Sequence, residues 1–200
     1  MAQFGLKHLV VAPVYTEGTN TITYSAGAVC EHARRAAITY NWDEAKLYGD
    51  DGLAEYLKTL TDADVELETT ELTPTIAVMM GLEKVKTAAT GTSPAVYTMV
   101  ADVSQAVGVG YIGVDFINGS KIYTGVWIHK VVFSRNNEER NTKEETVNWG
   151  TPTVSGKAHP VYLDATGEAQ IRDYSEFETE TDAIAWVNGK AGISNPTGQG

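Results

Sequence analysis

Hydrophobic positions along this 200-residue chain recur mostly with period two, the spacing of strands. An apolar run over residues 8–14 ends in the polar cluster Thr16-Glu17-Gly18-Thr19-Asn20, and a strand restarts over 21–24. Over 36–42, Ile38, Tyr40 and Trp42 alternate with Ala37, Thr39 and Asn41. Over 65–72, Val65 and Leu67 oppose Glu66 and Glu68. The clearest hairpin spans 107–133 and turns at Asn118-Gly119, because both positions of a two-residue turn favour positive φ. Before the turn Val107, Val109, Tyr111 and Gly113 alternate with Gly108, Gly110, Ile112 and Val114. After it Tyr123, Trp127, Val131 and Phe133 alternate with Ile122, Val126, Ile128 and Val132. Both faces of this second arm are apolar, which predicts a place between two layers. Residues 135–143 read as a polar connection and 145–155 as a further strand.

One helix is well signalled. Thr73 suits its N-cap, Pro74 its first position and Gly81 its end. Between them Thr75-Ile76-Ala77-Val78-Met79-Met80 is apolar almost all round, which predicts burial against a sheet. Met79 and Met80 read as core filling rather than as soft metal ligands, since nothing else rich in sulfur is near. The stretch Leu47-Tyr48-Gly49-Asp50-Asp51-Gly52-Leu53-Ala54-Glu55-Tyr56 reads as a loop, yet it interleaves apolar side chains with acids and turn residues. Leu47, Tyr48, Leu53, Tyr56 and Leu57 predict that this loop is either tucked under the domain or docked on another molecule. Beyond residue 158 the chain becomes more polar: 162–167 contains a Gly turn, Asp173, Glu176, Glu178, Glu180 and Asp182 form an acidic run, 182–187 suits a short helix or strand, and 191–200 reads as a mobile tail.

Composition narrows the class. Hydrophobic residues make up 42% and charged residues 20%, as in ordinary globular domains. No apolar run approaches the roughly 18 residues of a membrane-spanning helix, so no membrane partner is expected. The start, Met1-Ala2-Gln3-Phe4-Gly5-Leu6-Lys7-His8, lacks the pattern of a secretory signal. Cys30 is the single cysteine, which excludes an internal disulfide and fits synthesis in a reducing cytoplasm. A net charge of −11 argues against tight nucleic-acid binding, which needs Lys and Arg to neutralise phosphates.

Signals for chemistry are poor. Gly108-Val109-Gly110-Tyr111-Ile112-Gly113 has G-x-G-x-x-G spacing, but it lies inside a strand instead of opening a helix, so the glycines read as sites of bending or close backbone approach. His8, His32, His129 and His159 show no metal-ligand spacing. His129 reads as an interfacial or partly buried side chain. Asp50-Asp51 lacks the further spaced oxygen ligands of a calcium loop. Cys30 has no local nucleophile signature, and no serine lies in a G-x-S-x-G elbow. The expectation is therefore a non-enzyme without catalytic, cofactor-binding or metal-binding residues.

Gly5-Leu6-Lys7-His8-Leu9 with Ala12-Pro13, the Leu-Tyr-Gly-Asp-Asp-Gly stretch from Leu47, the strand and helix over 65–82, the 111–133 hairpin and Thr151-Pro152-Thr153-Val154-Ser155-Gly156 occur in an order that resembles the major tail proteins of long-tailed, non-contractile bacteriophages. The resemblance covers residues 5–158, and matches poorly over 87–104. It implies a mainly β fold, a β-sandwich or barrel with one packed α-helix, a long inter-subunit loop and a carboxy-terminal extension. It divides the chain into a tail tube domain, 1–158, and an extension, 159–200. It further implies a self-assembling subunit of the virion tail. Hexameric rings would stack into a tube around a tape-measure protein, bounded by tail terminator and tail-tip proteins, with DNA passing through without specific binding. On this reading Leu47, Tyr48, Leu53, Tyr56 and Leu57 form an inter-subunit clasp, a neighbouring subunit covers the second apolar face of the hairpin, and Glu66, Glu68 and Glu71 are candidates to line the lumen. The alternatives are a monomeric all-β module that grips a peptide or sugar, a secretion-system tube subunit of related architecture, and, more weakly, a hydrolase using Asp and Glu.

Overall fold

The computed structural model describes residues 2–49, 52–99, 101, 105–117, 119–136, 151–163 and 167–193. Its elements are β1 (Ala2–Gly18), β2 (Thr21–Tyr24), β3 (Ala28–Cys30), β4 (Ala33–Gly49), β5 (Gly52–Thr69), α1 (Pro74–Met79), β6 (Glu83–Thr87), β7 (Val96–Met99), β8 (Ala106–Ile117), β9 (Ser120–Arg135), β10 (Thr153–Ala158), β11 (Val161–Tyr162), β12 (Ala169–Gln170), β13 (Arg172–Phe177) and α2 (Glu180–Lys190). Nine strands form one antiparallel sheet in the order β2-β1-β8-β9-β10-β5-β4, with β3 added on β1 and β13 on β9. The pairs β6-β7 and β11-β12 are separate two-stranded ribbons.

The sheet is curled around its main core. Leu9 and Val11 of β1 share a cluster with Val65 and Leu67 of β5. In a flat sheet, strands four places apart would stand roughly 19 Å from one another. Curling brings them together in a mainly β, sandwich-like fold. Helix α1 fills the same core with Ile76, as does Met80 at its carboxy-terminal cap, and Met79 packs against it. Its ends follow the sequence signals: the Thr73 hydroxyl accepts the Ile76 N–H at 3.4 Å, and Gly81 turns the chain away at φ +75°.

The β8-β9 hairpin lies between two layers, as its doubly apolar pattern predicts. One side faces the main core through Val107, Val109, Ile128, Val131 and Phe133. The other side carries Ile112 and Trp127, which join Val10 and Ala12 of β1 in a second cluster. The surface that covers this second side comes from the same chain: Ala183 and Val187 of α2, with Ala191 just beyond it. The expectation of a neighbouring subunit there is therefore corrected. The 182–187 segment, open between helix and strand from sequence, belongs to α2, which starts at a Thr179 cap. Ala191 is buried and Ile193 packs on the same cluster, so the 191–200 segment starts docked rather than free. The 159–200 segment also extends the main sheet, because β13 pairs with β9 from Tyr123 to Ile128.

The alternation read along β9 breaks once. Val109 pairs with Ile128, but Val107 pairs with Val131, so one extra residue sits on β9 around His129-Lys130. This bulge reverses the parity and puts Val131 and Phe133 on the side of Ile128 instead of Trp127. The sheet forks at the same place. The distal half of β9 pairs with β13, and the half from Val131 to Arg135 pairs with β10.

Gly108 and Gly110 make room for an indole, not for another backbone. A Cβ on Gly108 would lie 2.4 Å from the Trp127 ring, and one on Gly110 would lie 2.6 Å from that ring and 2.7 Å from Val187. Trp127 meets Tyr24 edge-on at 4.9 Å between ring centroids. At Gly113 the nearest atom to a Cβ would be 3.9 Å away.

Several expected features fall outside the described residues: Asp50 and Asp51, Asn118 of the hairpin turn, 137–143 of the polar connection, 145–150 of the last strand, 164–166 of the Gly turn and 194–200 of the tail. Gly119 does take φ +87°, and Ile117 pairs with Ser120 across the turn. Strand β1 is longer than the 8–14 run, reaching from Ala2 to Gly18.

Two outcomes follow from this packing. Gly110→Ala should destabilise the fold by about 1–3 kcal/mol, because a rigid ring and a helix side chain must move to admit one methyl. Gly113→Ala should be neutral or stabilising by about 0.4–1 kcal/mol, since space is open and the unfolded chain loses freedom. Denaturant melts of the two variants check the contrast in sign. The second outcome concerns acid. His129 is 2% exposed, with Nε2 3.2 Å from Asp173 Oδ1, which corrects the partly buried placement. Burial lowers its pKa below the usual 6.5; the Asp173 carboxylate opposes this and Lys190 reinforces it. The folded chain therefore binds fewer protons than the unfolded chain as pH falls below 6.5, so stability is lost on acidification through that window. Burial raises the Asp173 pKa, but the Lys190 and His129 contacts outweigh it and hold it below 3.8, so this group adds a loss of the same sign at lower pH. Melting temperature should fall between pH 7.5 and 5.5, and His129→Gln should flatten that slope.

Candidate assembly surface

The described residues of the stretch from Leu47 to Tyr56 are strand and not loop. They form the distal end of a β4-β5 hairpin whose ladder continues through Leu47↔Glu55 and Tyr48↔Leu53 to Gly49↔Gly52. The glycines end the strands instead of interrupting them. Strand β10 pairs with β5 only from Ala63 to Glu68. Among the described residues, β4 and β5 beyond that point pair only with each other. At about 3.3 Å per residue, the nine residues of β4 past this point make the two-stranded arm extend roughly 30 Å beyond the third strand. An isolated two-stranded ribbon is marginal in water.

The arm is dressed with exposed apolar groups. Leu57 is 64% exposed, Trp42 51% and Tyr56 49%. Of the five clasp residues expected from sequence, Tyr56 and Leu57 are thus on the surface, and the backbones of Leu47, Tyr48 and Leu53 lie in the same ladder. Trp42 belongs with them, and it was legible: the alternation of Ile38, Tyr40 and Trp42 runs on into Glu44 and Lys46 along β4. Charges stiffen the ribbon. Glu44 lies 3.5 Å from Lys46 and 3.3 Å from Lys58, and the Tyr56 hydroxyl bonds to it. The Tyr56 contact and then Lys58 hold the Glu44 carboxyl below its usual range, and the same bond raises the Tyr56 pKa.

Two of the lumen candidates, Glu66 and Glu68, stand on the face of β5 opposite the core. Glu66 pairs with Arg35 at 2.5 Å, and Glu68 lies 3.4 Å from Arg34 and accepts from the Thr151 hydroxyl at 2.8 Å. Further along, Lys157 lies 3.2 Å from Asp62 and 3.0 Å from Asp64, whose pKa values Asn41 and Lys157 lower. The face is a ladder of ion pairs and not a bare acidic strand. Glu71 lies past the end of β5 and is exposed.

Elsewhere, Cys30 is buried in the main core, which pushes its thiol up to about 11 and keeps it protonated. Among the described residues no group of three or more His, Cys, Asp and Glu side chains is placed to hold a metal ion. No helix among them is long and apolar enough to cross a membrane.

Because Tyr56 and Leu57 lie off the core, the double variant Tyr56→Ser, Leu57→Ser should melt within about 0.5 kcal/mol of the parent protein at low concentration. A large loss in thermal or urea unfolding would instead place these side chains in the folded core. No family model and no curated protein matches this chain.

Proposed function

We propose that this protein is a structural subunit of a bacteriophage tail tube, which assembles into hexameric rings stacked as a conduit for DNA. The β4-β5 arm carries the reading. A marginal ribbon with Trp42, Tyr56 and Leu57 in water gains stability when another molecule covers it. The family resemblance supplies the ring, the stacking, the tape-measure, terminator and tail-tip partners, and the place in the virion. The ion-paired face of β5 suits a bore. Duplex DNA carries roughly one negative charge per 1.7 Å, and screening fades over about 8 Å at physiological salt. A wall in which Arg34, Arg35 and Lys157 are already engaged by carboxylates leaves few free cations to grip a passing duplex.

A monomeric binding module is the second reading. The cleft of about 420 Å³ lined by Tyr40, Trp42 and Arg172 favours it.

Purified protein should form rings or tubes in electron micrographs and heavy species in sedimentation. The Tyr56→Ser, Leu57→Ser variant should stay folded and fail to assemble. In a map of the tube, the β5 face with Glu66 and Glu68 should line the bore. A strict monomer over a wide range of concentration and salt would end the tube reading in favour of the binding module. A bore lined mainly by unpaired Lys and Arg would end the electrostatic part alone.

A further inference from the structure

A row of cation–aromatic stacks runs along one face of this acidic molecule. Tyr40, Trp42, Glu44 and Lys46 alternate onto one side of β4, and their cross-strand neighbours Leu60, Lys58 and Tyr56 share it. Lys58 Nζ lies 5.5 Å from the centre of the Trp42 ring, and Lys46 Nζ lies 5.7 Å from that of Tyr56. At the root of the arm, the Arg172 guanidinium lies 5.5 Å from the Tyr40 ring and 5.8 Å from the Tyr174 ring. Among the described residues Arg172 has no carboxylate partner, whereas Arg34, Arg35 and Arg135 each have one. Rings beneath long cationic side chains restrict their rotamers, so less freedom is lost when an anion binds. Glu44 offsets part of the charge of Lys46 and Lys58, which leaves the stripe basic on a chain of net charge −11.

We propose that this stripe receives the acidic segment bearing Glu176 and Glu178 from a second copy of the chain. The inference rests on the self-assembly reading and names the contact. Both glutamates are exposed and make no ion pair among the described residues, unlike Glu180, which holds Lys7 at 2.7 Å. Glu176 follows Arg172 and Tyr174 along the exposed side of β13, so one surface is basic and aromatic at the arm and acidic at its other end. Such a surface repeats head to tail: the basic end of each copy meets the acidic end of the next. A heterologous contact of this kind closes a ring when its rotation allows. It also explains how copies of a strongly acidic chain approach one another despite their mutual repulsion.

The test is a charge swap in the full-length protein, read by sedimentation and electron microscopy. Lys46→Glu with Lys58→Glu should raise the concentration needed for assembly by about tenfold or more, and Glu176→Lys with Glu178→Lys should do the same. The combined variant should assemble again. Lys46→Gln with Lys58→Gln, which adds no repulsion at Glu44, is the milder form should the reversal unfold the arm, and circular dichroism reports folding in each case. Tubes that form equally well in every variant overturn this contact and leave the tube reading standing. Damage by each pair without rescue in the combination shows that the stripe meets another surface and overturns the assignment. Charge-dependent dimers that never form rings support the contact and overturn the tube. A strict monomer throughout overturns both.

Discussion

The seating of Trp127 on Gly108 and Gly110 is the constraint on which the two-layered arrangement depends. The indole is fully buried, and the missing side chains at Gly108 and Gly110 let the ring press against β8, with Val187 of α2 meeting Gly110 beside it. Any side chain at those positions would lift the ring and with it α2. The helix is tied on from several directions as well: Lys7 to Glu180, His8 Nε2 to Asn188 Oδ1 at 2.7 Å, and Lys190 to Asp173 at 2.6 Å. The Gly27 N–H donates to the Ala191 carbonyl at 2.9 Å, just past its end. The carboxy-terminal segment thereby shields a face of β1, β8 and β9 that would otherwise be open to association.

That shielding shifts the question of assembly to the arm. A strand apolar on both sides suggests a partner molecule only if its own chain does not cover it, and here the chain does. The β4-β5 arm differs because its third strand ends near Ala63 while the ribbon continues, with aromatic groups and paired charges on its surface. Two-stranded ribbons lack a second layer to bury apolar area, so their exposed faces are free to be satisfied between molecules. The same reasoning applies to the β6-β7 ribbon, which leaves Val85, Val96 and Met99 exposed.

Charge is arranged to match. Carboxylates on the outer face of β5 are held by arginines and Lys157, so the net charge of −11 is concentrated elsewhere. Cations on the arm lie over rings, where they are partly shielded and oriented. Buried His129 and half-buried Asp173 and Lys190 join β9, β13 and α2 at the point where the sheet forks, so acid acts on the joint that binds the carboxy-terminal helix to the sheet.

By itself the sequence determined the local elements whose rules are local: α1 with its Thr73 cap and Gly81 end, the turn at Gly119, and the buried and exposed sides of β5 set by Val65, Leu67, Glu66 and Glu68. It also marked the apolar and acidic stretch around Tyr56 as unusual. It did not reveal that most of this stretch is strand, because its glycines mark turns equally well when they terminate a ladder. Only the tertiary structure decided what fills the space above Gly108 and Gly110, which surface covers Trp127, and where the β9 bulge reverses the pattern. It alone brought Arg172 over the Tyr40 ring and placed arginines against Glu66 and Glu68. These are contacts between residues far apart in the chain, and period and propensity carry no information about which distant side chain arrives.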